Sequence, residues 1–95
     1  MSYMSKKIFL VERKPSVKKD IKKLPQGILS ICLGHIEKLK NDPVPYNAKV
    51  LKGLKHYYKI RVASYRIIYH VNFASKIITI LAIDHRKDVY DRITL

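Results

Sequence analysis

Tyr57-Tyr58-Lys59-Ile60-Arg61-Val62-Ala63-Ser64-Tyr65-Arg66-Ile67-Ile68-Tyr69 reads as two strands and the turn between them. Side chains alternate across a strand. Tyr58, Ile60 and Val62 therefore share one face, and Tyr57, Lys59 and Arg61 the other. In the second strand Tyr65, Ile67, Tyr69 and Val71 suit a core, while Arg66, Ile68 and His70 point away. A two- or four-residue connection through Ala63-Ser64 pairs Ile60 with Ile67 and Tyr58 with Tyr69, and sets Arg61 opposite Arg66. A one-residue slip would drive Arg66 into the apolar face, so this register is favoured. Ala-Ser is poor chemistry for a type I′ turn, which favours the longer connection.

Working outward, Val50 to Lys52 and Ile77 to Ile83 read as further strands, with Gly53 and Asn72 to Lys76 as breaks. Upstream, Asp42 to Lys49 is a proline-containing loop. Before it, Ile28, Ile31, Cys32, Ile36 and Leu39 form one helical stripe that stops ahead of Asn41-Asp42-Pro43. Val17, Ile21 and Leu24 form a shorter amphipathic helix after Pro15, which suits a first helical turn. Pro25-Gln26-Gly27 separates the two as an αα-hairpin. Lys6 to Glu12, containing Ile8-Phe9-Leu10-Val11, is a β-prone run. The order β-α-α-β-β-β-β predicts an α+β fold: an N-terminal strand, an αα-hairpin, then an antiparallel sheet of about four strands with helices on one face. Residues 1–95 are expected to form a single domain, with Met1 to Ser5 frayed.

Composition narrows the function. Lys and Arg number 20 against seven Asp and Glu, a formal charge of +13. Such a field calls for a polyanionic partner, and nucleic acid leads because each neutralised phosphate releases counterions. One cysteine excludes an internal disulfide and argues for a reducing, cytoplasmic setting. No stretch approaches the ~20 apolar residues of a membrane-spanning helix, and no membrane partner is expected. Cys32 reads as a buried inert thiol and His35 as a helix-surface residue. His56 and His70 lack partners at metal-ligand spacing, so neither metal nor cofactor is expected.

Like charges directly opposite one another destabilise a strand pair. A sheet face carrying Lys59, Arg61 and Arg66 therefore wants an anion between them, and phosphate fits arginine forks and a lysine point charge. Each cation alone would read as a solvated strand position. Three converging on so basic a chain read as a phosphate site.

Leu51-Lys52-Gly53, Tyr58-Lys59-Ile60-Arg61-Val62, Tyr65-Arg66-Ile67-Ile68-Tyr69 and His85-Arg86-Lys87-Asp88-Val89-Tyr90, in that order, resemble the signature blocks of RelE-type ribonuclease toxins. The resemblance covers the chain from Lys6 onward. It implies a type II toxin that cleaves messenger RNA in the ribosomal A site, by attack of the 2′-hydroxyl on the adjacent phosphate, and that an acidic or amphipathic RelB-like antitoxin silences. Lys59, Arg61, Arg66 and Tyr90 match the family's catalytic positions, and Arg86, His85 and Lys52 fall in blocks that could hold RNA. The general base could be Lys59, Tyr90 or His85. Asp84 stands where some members carry arginine, and the turn before Tyr65 lacks the family's frequent glycine. Two other classes compete: a ParE-like inhibitor of gyrase, and a non-catalytic ribosome- or RNA-binding module.

Overall fold

The computed structural model describes residues 8–85. The expected frayed start and the block from Arg86 to Tyr90 lie outside those residues. Seven elements follow in order: β1 (Leu10–Arg13), α1 (Val17–Lys23), α2 (Gln26–Leu39), β2 (Lys49–Val50), β3 (Tyr57–Val62), β4 (Tyr65–Asn72) and β5 (Ile77–Asp84). The strands form one sheet in the order β1-β5-β4-β3-β2. The four strands after the helices pair antiparallel as expected, and β1 joins β5 in parallel at the edge, making a five-stranded mixed sheet.

Local chemistry explains the helix boundaries. Leu24, ahead of Pro25, is extended (ψ 137°) and ends α1, because the proline ring disfavours a helical conformation in the preceding residue. Pro25 itself opens α2, where its missing N–H costs nothing, and its carbonyl accepts the Leu29 N–H at 2.9 Å. The chain break is therefore tighter than Pro25-Gln26-Gly27, with Gly27 already inside α2.

Both helices lie on one face of the sheet. Val17 of α1 and Cys32 and Leu39 of α2 join Tyr58, Ile60, Ile67, Tyr69, Val71, Ile78, Ile80 and Ile83 in a single buried cluster. Ile31 is not on that stripe: it is 50% exposed, as is Leu33 at 49%. Two polar contacts lock the layers. The buried Asp20 carboxylate accepts the Ile83 N–H at 3.1 Å, and the Tyr69 hydroxyl donates to the Pro43 carbonyl at 2.8 Å.

The other face carries a smaller cluster of Leu51, Ile68 and Ala82, flanked by Leu54, Tyr57 and Leu81. Ile68 points away from the helices as expected, yet it is fully buried, because residues 51–57 supply a second cover. A β-bulge sets Ile68 opposite Ala82 but Tyr69 opposite Ile80. That extra residue shifts the alternation of β5, so Ile83 faces the core and Asp84 falls opposite Arg66 on the open face.

Candidate functional site

The β3–β4 register is the expected one: Tyr58 pairs with Tyr69, Ile60 with Ile67 and Arg61 with Arg66. The tip differs. Val62 pairs with Tyr65, so the connection is the two-residue one, not four. Ala63 takes a positive φ of 56° and Ser64 does not, the sign pattern of a type II′ rather than a type I′ turn. Strand pairing up to the last residue outweighs the local preference of alanine here. The strain secures a contact: Arg61 Nε donates to the Ala63 carbonyl at 3.0 Å.

Beside the tip, on the open face, Asn47, Lys49, Lys59, Arg61 and Arg66 line a notch of about 170 Å³. Two like-charged cross-strand pairs converge on it, Lys49 with Lys59 and Arg61 with Arg66. Arg66 is half-buried, and its Nη1 donates to the His85 carbonyl at 3.4 Å. Backbone carbonyls thus hold both guanidinium groups, leaving donors for a ligand. Pairs of this kind cost stability unless an anion bridges them, and two arginine forks beside lysine ammonium groups suit a phosphate.

Of the expected residues, Lys59, Arg61 and Arg66 come together in this notch. Lys52 is exposed in the turn after β2 and is not among the notch lining. The His85 ring stands 5.3 Å from that of Tyr65 and lines a different cavity. Its Nδ1 lies 3.4 Å from Asp84 Oδ1, which also accepts the His85 N–H at 2.7 Å. Arg86 and Tyr90 lie outside the described residues. Lys49 was missed: the β2 strand begins there and not at Val50, so a residue read as loop is a partner of Lys59.

Away from the notch, burial shifts Tyr69, Cys32 and His70. Burial, then Tyr58 and Asp42, pushes the Tyr69 phenol well above its ordinary range, and burial raises the Cys32 thiol. Burial and then His56 lower the His70 imidazole, whose ring packs 4.6 Å from Tyr57. No helix of the described residues is long and apolar enough to cross a membrane.

Comparison with known proteins agrees with this geometry. A family model described as ParE toxin of type II toxin-antitoxin system, parDE, matches residues 11–90. The RelE1 protein of Methanocaldococcus jannaschii is 36% identical over 85 residues, which span 86% of this chain and 94% of that protein. The fold superimposes on the Pyrococcus horikoshii RelE–RelB complex with a TM-score of 0.75 at 29% identity, covering 84% of this chain and 97% of that one. A free Escherichia coli RelE variant shares the fold alone, with a TM-score of 0.78 at 19% identity over 90% of this chain and 94% of that one.

Proposed function

Because the chain belongs to the RelE/ParE superfamily, as a toxin of a type II toxin–antitoxin system, we propose that it cleaves messenger RNA on the ribosome and is held silent by a RelB-like antitoxin. The convergence of two like-charged cross-strand pairs on one notch carries the reading.

In this mechanism the scissile phosphate sits among Lys49, Lys59, Arg61 and Arg66. The 2′-oxygen loses its proton and attacks the adjacent phosphorus. The bond to the 5′-oxygen breaks, leaving a 2′,3′-cyclic phosphate and a 5′-hydroxyl that takes up a proton. Arg61 and Arg66 stabilise the charge growing on the non-bridging oxygens, the largest electrostatic task in such a step. Lys59 or Tyr90 removes the 2′ proton, because the His85 ring packs on Tyr65 beside another cavity. Arg86 is a further phosphate ligand from the C-terminal block. The reaction takes place in the cytoplasm, where ribosomes and the reduced Cys32 thiol belong together.

The antitoxin meets a +13 chain, so an acidic segment suits it. A groove of about 400 Å³ between β1 and the helices, lined by Val11, Val17, Ile21, Leu33 and Ile36, accepts the apolar face of an amphipathic segment.

Primer extension on messages from cells expressing the protein tests the activity. Codon-phased cuts in translated messages are expected, and their loss in a folded Arg66→Ala variant. The matching family model is described for a ParE toxin, which keeps a gyrase-directed reading in view. Intact messages accompanied by gyrase–DNA breaks would replace our proposal with that one.

A further inference from the structure

The notch beside the β3–β4 tip is built almost entirely from hydrogen-bond donors. Charged lysine and arginine side chains carry no acceptor. Lys49, Lys59, Arg61 and Arg66 therefore suit the oxygens of a phosphate but give a hydroxyl hydrogen nothing to bond to. Asn47 is different. Among the described residues lining the notch, its amide oxygen is the one side-chain acceptor. Asp84 pairs with Arg66 across β4 and β5 but is not part of that lining.

No structural task accounts for this asparagine. It stands in a turn closed by the Ala48 N–H, which donates to the Pro45 carbonyl at 2.9 Å. Asparagine is common in turns because it tolerates a positive φ or bonds the nearby backbone. Neither reason applies here. Among the described residues other than glycine, positive φ is confined to His56, Ala63 and Lys76. The Asn47 amide also makes no hydrogen bond to any described residue. Asn72 is the contrast: its Oδ1 accepts the Ser75 N–H at 2.9 Å in the turn between β4 and β5. Past Asn47 the chain is held at the notch, because Ala48 packs against the main core and Lys49 pairs with Lys59.

We infer that Asn47 reads the ribose 2′-hydroxyl. Its Oδ1 accepts the hydroxyl hydrogen of the nucleotide whose 3′-phosphate lies among the four cations. The 2′-hydroxyl is the group by which a protein tells RNA from DNA, and it needs an acceptor to be recognised as a donor. The inference rests on the RNA-cleaving reading and deepens it, by naming the residue through which the site prefers ribose. An amide is too weak a base to take the proton. Asn47 therefore holds the attacking hydroxyl in place, and removal of its proton is left to Lys59 or Tyr90.

The test uses fluorescein-labelled hexacytidylate with ribose, 2′-deoxy or 2′-fluoro sugars. Binding is read by fluorescence anisotropy before any probe is cut, as checked by gel. The 2′-fluoro sugar keeps a ribose-like pucker but cannot donate a hydrogen bond. Wild type is expected to bind the ribose probe roughly 2- to 12-fold more tightly than the 2′-fluoro probe, the net contribution of one hydrogen bond. Asn47→Leu, similar in shape, should lose that preference. Asn47→Asp keeps the acceptor but sets a negative charge beside the phosphate, so it should weaken every probe and retain the preference. Equal binding of the ribose and 2′-fluoro probes by the wild type overturns the inference, and that comparison needs no variant to fold. A ribose preference that survives in Asn47→Leu overturns it too. So does a preference lost in Asn47→Asp, which would assign the effect to the shape of the turn and not to an acceptor. Arg61→Ala separates the two claims. Weaker binding of every probe there, beside an Asn47→Leu that still prefers ribose, keeps the phosphate notch and removes only the role of Asn47. Unchanged binding of every probe in Arg61→Ala removes both.

Discussion

The two faces of the sheet obey opposite rules. Among the described residues, the helix-covered face and the helices over it bury twelve residues in one continuous cluster. The open face buries three, Leu51, Ile68 and Ala82, and places like charges against each other beside them. A like-charged cross-strand pair costs roughly 0.2–1 kcal/mol, whereas deleting one buried isoleucine costs roughly 2–5 kcal/mol. The covered face therefore outweighs the repulsion of the open one by a wide margin. Stability is concentrated on one side of the sheet, which frees the other to carry a cluster of cations.

The largest test of that division removes a cation. Arg66→Ala should slow RNA cleavage by about 10²- to 10³-fold, the usual loss for one oriented charge-stabilising group. Its melting temperature should change little, because Arg61 loses a like-charged neighbour while the pairing with Asp84 and the contact to the His85 carbonyl are lost as well. Full activity in this variant, or a collapse of its thermal melt, would break the separation of roles. Next come two adjacent isoleucines, both fully buried. Ile67→Ala, facing the helices, should lose roughly 2–5 kcal/mol in urea unfolding. Ile68→Ala should lose less, since the loop over it can settle into the gap, and it should disturb the neighbouring notch more. Equal losses would show that the open face is a second core of the same rank.

A smaller effect probes how the helix side is closed. Tyr69→Phe removes the hydroxyl donated to Pro43 and leaves that carbonyl short of a partner, at a cost of about 1 kcal/mol. The pH dependence has a definite sign. Burial first, then Tyr58 and Asp42, raises the folded phenol above its unfolded value. Only the unfolded chain then ionises above pH ~10, so stability is intact below that point and falls as pH rises through it. Alkaline denaturant titrations should show this decline shallower in Tyr69→Phe than in the wild type.

How much of this was legible in the sequence depends on which side of the sheet is asked. Alternation fixed the β3–β4 register, because a slip would have buried Arg66, and the same logic brought Lys59, Arg61 and Arg66 to one notch. The exposed Ile31 and the buried Ile68 were not legible, since each depends on what another segment covers. Lys49 escaped because β2 is two residues long and has no period of its own; only its pairing with β3 marks it. The bulge that turns Ile83 inward and Asp84 outward is likewise invisible in a run as uniformly apolar as Ile77 to Ile83. Tyr90 and Arg86, which the resemblance alone brought into the site, have no geometry among the described residues.

At Ala63 local preference and tertiary pairing disagree, and the expected effect is the smallest. Ala63 sits at φ 56°, a region that costs a residue with a Cβ about 1–2 kcal/mol and glycine little. Glycine regains part of that cost in the unfolded chain, where it has more freedom to lose. Ala63→Gly should therefore stabilise by about 0.5–1 kcal/mol, visible as a rise of a few degrees in the thermal midpoint. The consequence for the open face separates strain from function. The Arg61 guanidinium is anchored to the Ala63 carbonyl, and that carbonyl belongs to the backbone, which the substitution retains. If the turn only pins Arg61, cleavage should be unchanged while stability rises. A fall in cleavage with a gain in stability would mean that the stiffness of the tip, and not only its hydrogen bond, holds Arg61 toward the phosphate.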